Sequence, residues 1–187
     1  MAGFLDGILG RTKVAKPTLE RLFAISTAQI TLDTSLGLKP SQNAAICFKP
    51  MASARFRESG TDIEDMVKLA FKDEGTKMDR SVDEYGYEWL KLTDKDLDDL
   101  VTTIHVAAQS MTDDGFGEQL LCAVFGFEPG HIRFIYNFKR GYFYPFVPLP
   151  NKKRDSEREL QLQAKLEQEL PIEPDLERWY PLWDAPV

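Results

Sequence analysis

Apolar residues in this chain recur with two periods, and the period assigns each run to strand or helix. The densest stretch, residues 119–149, reads QLLCAVFGFEPGHIRFIYNFKRGYFYPFVPL. Three aromatic-rich apolar runs of strand length are separated there by Glu128-Pro129-Gly130 and by Lys139-Arg140-Gly141. Such punctuation suits tight reversals, so the stretch predicts a three-stranded antiparallel meander. Alternation places Ile132, Phe134, Tyr136 and Phe138 on one face and Arg133, Asn137 and Lys139 on the other. In the third run Tyr142, Tyr144 and Phe146 alternate with Phe143 and Val147. One face is core. The other is too aromatic for water, so the C-terminal segment, a second subunit or a client must cover it.

Residues 1–16 carry Phe4, Leu5, Ile8 and Leu9 at helical spacing, followed by Arg11, Lys13 and Lys16. A helix that short must dock on its own domain, on a partner or on an anionic membrane surface. Gly3, Gly7 and Gly10 favour one that forms on contact. Pro17 opens a first body helix with Leu19, Leu22 and Phe23 inward, and Ile30 with Leu32 suggests a short strand. Residues 44–48 form a clearer strand, which a short one at 54–56 pairs with through the Pro50-Met51 turn. Thr61 and Glu64 make a capping box ahead of a helix with Ile63, Met66, Val67, Ala70 and Phe71 inward, stopped by Gly75. The next segment is polar up to residues 83–86.

Residues 87–92 read as a strand anchored by Trp89. Thr93 or Asp94 then caps a helix with the inward stripe Leu97, Leu100, Val101, Ile104 and Ala108, closed by Gly115 and Gly117. After Pro150 comes a charged helix with Leu162, Leu166 and Leu170 along one edge. The last 17 residues have too many prolines for regular structure and too many aromatics for disorder, so Trp179, Tyr180 and Trp183 are expected to cover apolar surface. The pattern predicts an α+β fold: an antiparallel sheet with the C-terminal meander, packed by helices. Its parts are an N-terminal amphipathic segment 1–16, one domain over 17–170 and a Pro/Trp-rich tail 171–187.

Composition narrows the function. With 187 residues, 43% of them hydrophobic, the chain builds a core, and its net charge of −7 argues against nucleic acid as a partner. Cys47 and Cys122 sit in apolar runs without CxxC spacing, as buried free thiols of a reducing compartment do. No apolar run reaches the roughly 18 residues of a membrane span, and the N-terminus lacks the layout of a secretory signal, so a cytoplasmic protein is expected.

Catalytic and metal motifs fail on inspection. Asp94, Asp96 and Asp98 imitate a calcium loop, but Asp99 stands where glycine is required and His105 where a bidentate Glu is. Gly115-Phe116-Gly117 lacks the third glycine of a dinucleotide loop and precedes a strand. His105 and His131 stand at no metal-ligand spacing, His105 reading as a boundary residue of its helix and His131 as an exposed turn residue. A non-enzymatic protein without cofactor or metal is expected. Its contact residues are Phe4, Leu5, Ile8, Leu9, Arg11 and Lys13 for a partner or membrane, and Tyr136, Arg140, Tyr142 and Tyr144 on the sheet.

Several separated motifs carry a resemblance: GFLDGILGRTK, AAICFKP, DEYGYEWL, GFGEQLLCAVFGF, YNFKRGYFYPFVPL and LPIEPDLERWYPLWDAP. Together they resemble the phage-shock-protein-A-associated protein B family over nearly the whole chain, and least over 57–84. The resemblance implies an accessory of the phage-shock envelope-stress system. Members are associated by gene neighbourhood with phage-shock protein A and with a membrane-embedded zinc metalloprotease, so it implies one of these as partner, peripheral at the inner face of the cell membrane. It supplies no catalytic residues. Helices around an antiparallel sheet are also similar to secretion-chaperone folds, which implies a chaperone-like alternative: a homodimer that binds a client on its sheet.

Overall fold

The structure, a computed structural model, describes residues 18–50 and 76–187. The strand expected at 54–56 and the capped helix beginning at Thr61 lie outside the described residues, as does the segment 1–16.

The described chain starts with a 3-10 turn, Glu20–Phe23, that runs into helix α1, Ala24–Leu36. Strand β1, Lys39–Phe48, follows. From residue 76 onward come β2, Lys77–Val82, and β3, Glu88–Thr93, then helix α2, Leu97–Asp113. The meander is β4, Leu120–Glu128, β5, Ile132–Asn137, and β6, Tyr142–Phe146. A two-strand ribbon, β7 Pro148–Leu149 with β8 Lys153–Arg154, leads to helix α3, Ser156–Leu166. The main sheet has six antiparallel strands in the order β2-β3-β1-β4-β5-β6, so the expected α+β architecture and its meander are both present.

Register divides the side chains into rows across the sheet. One row, Leu90–Ile46–Ala123–Tyr136–Phe143, and the next, Leu92–Ala44–Phe125–Phe134–Pro145, face the helices. The buried stripes of the three helices among the described residues close over them: Ile25, Ala28 and Leu32 of α1, Leu97, Leu100, Val101, Ile104 and Ala108 of α2, and Leu162 and Leu166 of α3. The other face carries a smaller apolar cluster, including Ala45, Cys47, Trp89, Cys122, Val124, Ile135, Tyr144 and Phe146, roofed by the tail. The chain passes from one face to the other at the β6 edge. There Phe143 N–H donates to the Pro171 carbonyl at 2.8 Å and Glu173 N–H to the Phe143 carbonyl at 2.8 Å, with Ile172 bridging Phe143 in parallel.

Several local expectations need correction. Ile30 and Leu32 do not form a strand. Leu22, Ile25, Ala28 and Leu32 make one helical face, which extends α1 through them and leaves Ile30 73% exposed on the opposite side. Phe23 is 39% exposed, because it lies off that face and tilts against His105 at 4.9 Å instead. Gly37, at φ 65°, ends α1 by adopting the left-handed conformation and donating to the Asp33 carbonyl. The N-cap of α2 is Asp96, accepting from Asp98 N–H, while Asp94 accepts from Asp96 N–H just upstream. The polar segment after residue 76 contains the edge strand β2.

Candidate functional site

Between the tail-side face of the sheet and the tail lies a cavity of about 530 Å3. Its floor is a single transverse row, Trp89–Cys47–Cys122–Asn137, in which each residue is the register partner of the next across β3, β1, β4 and β5. Three strand spacings of about 4.8 Å make this floor about 14 Å long. Tyr144 and Leu121 form a side wall, and Tyr180, Pro181, Leu182, Trp183, Asp184 and Ala185 form the roof. At the β3 end stand Asp83, Tyr85 and Tyr87, and at the β5 end Lys139.

The roof is held by side chains of the sheet bonding to tail carbonyls. Arg133, on β5, donates to the carbonyls of Leu182, of Trp183 at 3.1 Å and of Val187 at 3.3 Å. Burial disfavours its charged form and lowers its pKa, a shift that the charge of Asp184 opposes in part. Tyr144 O–H donates to the Tyr180 carbonyl at 3.0 Å, and Arg154 Nη1 to the Trp179 carbonyl at 2.7 Å. Trp179 stacks on Tyr144 at 6.3 Å and donates from Nε1 to the Glu173 carbonyl at 2.9 Å. Trp183 meets Phe146 edge-on at 4.9 Å. Trp179 and Trp183 thus lie against the rings of Tyr144 and Phe146, whereas the Tyr180 ring is exposed and its contribution is the carbonyl that Tyr144 binds.

The two cysteines, placed separately by the sequence, are direct cross-strand neighbours, both buried and both reduced. A hydrogen bond between Cys47 and Cys122, together with burial, pushes the Cys47 thiol far above its ordinary pKa, so Cys47 lines the groove as a neutral thiol. Asp83 is the organising polar group. Its Oδ1 accepts from the backbone N–H groups of Tyr85 and Tyr87, each at 2.9 Å, and its Oδ2 accepts from Trp89 Nε1 at 2.9 Å. One turn carboxylate thus shapes the β2–β3 hairpin and orients the Trp89 indole on the groove floor.

The four sheet residues singled out from sequence do not share one surface. Tyr136 is fully buried on the helix side and donates to the Thr18 carbonyl. Tyr144 is 4% exposed beneath the tail. Tyr142 and Arg140 lie at the β5–β6 turn, where Arg21 sits over the Tyr142 ring at 5.3 Å and Arg140 pairs with the buried Glu173, fixing the start of the tail. Phe4, Leu5, Ile8, Leu9, Arg11 and Lys13 lie outside the described residues.

His131 Nδ1 lies 2.8 Å from a Glu128 carboxylate oxygen on an exposed turn, with Ser41 nearby around a smaller cavity of about 290 Å3. Ser41 Oγ has no hydrogen bond to it, so no nucleophile–base pair is assembled there. Sequence reasoning had Trp89, Cys47 and Cys122 as separate core residues; only strand register reveals them as one row.

The family model described as PspA associated protein B matches residues 2–187. No curated protein and no solved structure matches the chain.

Proposed function

The chain belongs to the PspA associated protein B family, and from that premise we propose that it is a non-enzymatic adaptor of the envelope-stress response that binds PspA at the cytoplasmic membrane. The observation that carries this reading is the family match over essentially the whole chain. Phe4, Leu5, Ile8 and Leu9 supply the apolar contact, and Arg11 and Lys13 the charge that meets anionic headgroups or an acidic partner surface. Among the described residues no helix is long and apolar enough to cross a membrane. A membrane-embedded metalloprotease is the alternative partner for the same segment.

The test is a Phe4→Asp, Leu9→Asp double variant of the full chain. Its thermal midpoint stays at the wild-type value, while co-purification of PspA and flotation with phosphatidylglycerol vesicles fall at least tenfold. Unchanged recovery in both assays sinks the assignment of this segment. A chaperone-like reading draws support from one feature, the groove between sheet and tail. The tail already covers Ile135, Tyr144 and Phe146, so a client has the groove alone, and a homodimer built on the bare sheet face is disfavoured.

A further inference from the structure

The groove differs chemically at its two ends. At the β3 end the Asp83 carboxylate is oriented by three N–H groups, with no ion pair to it among the described residues, and Lys152 lines the adjoining cavity that Asp83 and Asp184 also border. Asp184 adds a second, exposed carboxylate from the roof, and Tyr85, Tyr87 and Trp183 line the same groove. The Tyr85 phenol is kept neutral by its hydrogen bond to Glu84 first, then by the nearby negative charges, among them Asp184 and Asp83. Carboxylates beside aromatic faces form a cation site, since the ring quadrupoles and the charges attract the same ligand. At the other end Lys139 repels a cation, and the thiols, Leu121 and Leu182 between the ends suit an apolar body.

We propose that this groove receives a lysine or arginine side chain of a protein partner, borne next to apolar residues, with the cation against Asp83 and Asp184 and the apolar neighbours over Cys47 and Cys122. The inference rests on the adaptor reading and gives the chemistry of one contact. Charge complementarity fixes which end the cation occupies. The floor, about 14 Å from Trp89 to Asn137, extends beyond what a lone ammonium or guanidinium fills, which favours a chain-borne group over a free amine.

Trp89 and Trp183 line the groove, so tryptophan emission of the full-length protein reports its occupancy. The probes are acetyl-Gly-Leu-Arg-Leu-Gly-amide, the same peptide with citrulline for arginine, and arginine amide. The arginine peptide is expected to bind at least tenfold more tightly than either of the others. A Tyr85→Ala, Asp184→Asn variant, whose altered side chains are exposed and leave the Asp83 hydrogen bonds intact, keeps its thermal midpoint and loses at least tenfold in affinity for that peptide. Equal affinity for the arginine and citrulline peptides, or an unaffected variant, overturns the cation site. Arginine amide binding as tightly as the peptide overturns the partner as its source. PspA recovery by the wild-type chain is scored in parallel: if it persists while the peptide arms fail, only the groove assignment falls.

Discussion

Glu159 is 2% exposed, and both of its carboxylate oxygens are bonded within the fold. It accepts from Val147 N–H at 2.9 Å and from Arg154 Nε at 2.8 Å and 3.1 Å, while Arg154 also donates to the Trp179 carbonyl and lies 5.4 Å from the Phe146 ring. One buried carboxylate therefore joins α3, the β7–β8 ribbon and the tail. Glu159→Ala leaves a half-buried guanidinium and a buried N–H without their acceptor, a change expected to cost about 3–5 kcal/mol. Urea unfolding of the variant measures it. Glu159→Gln, which keeps an acceptor for Val147, is expected to cost less.

The tail behaves as an element although it has little regular structure. Its fastening by Arg133 suggests a clean separation between roof and core. Arg133→Met keeps an apolar stem but removes the guanidinium that lies 6.0 Å over the Phe146 ring and bonds three tail carbonyls, with an expected loss of about 1.5–3 kcal/mol. Limited proteolysis is expected to cut first within residues 180–187, leaving a core that still unfolds cooperatively. Uniform cleavage across the chain would contradict the separation. At this scale the sequence shows both what it encodes and what it does not. The meander and α2 were legible because their apolar residues recur at periods of two and 3.6. Ile30 misled because a β-branched residue was read by propensity, whereas the stripe Leu22–Ile25–Ala28–Leu32 decides the helix. β2, with the sequence KMDRSV, carries almost no apolar signal, since an edge strand exposed on both faces needs none. The groove was legible only in parts: Trp89 as an anchor, the cysteines as buried thiols and the tail as a cover. Their union depends on register, which no local pattern specifies.

For the whole molecule, several acidic protons are held by the fold itself. The Cys47 thiol is raised by its bond with Cys122 and by burial, and the Tyr136 and Tyr144 phenols are raised chiefly by burial. Each has a higher pKa folded than unfolded, so above the unfolded values, about 8.5 for Cys and about 10 for Tyr, the unfolded chain binds fewer protons than the folded one. Stability then falls as pH rises. The urea midpoint is expected to decline between pH 8 and pH 10.5, and Cys47→Ala to flatten the early part of that decline. An unchanged midpoint across the range would refute this account.

The two borders of the sheet are finished differently. Ile172 and its flanking hydrogen bonds occupy the free side of β6, and the opposite border, β2, presents Lys77, Asp79 and Arg80. Among the described residues neither border offers a vacant, uncharged backbone ladder to a second copy, the route by which concentrated β-proteins polymerise, so edge-to-edge growth into a fibre is disfavoured.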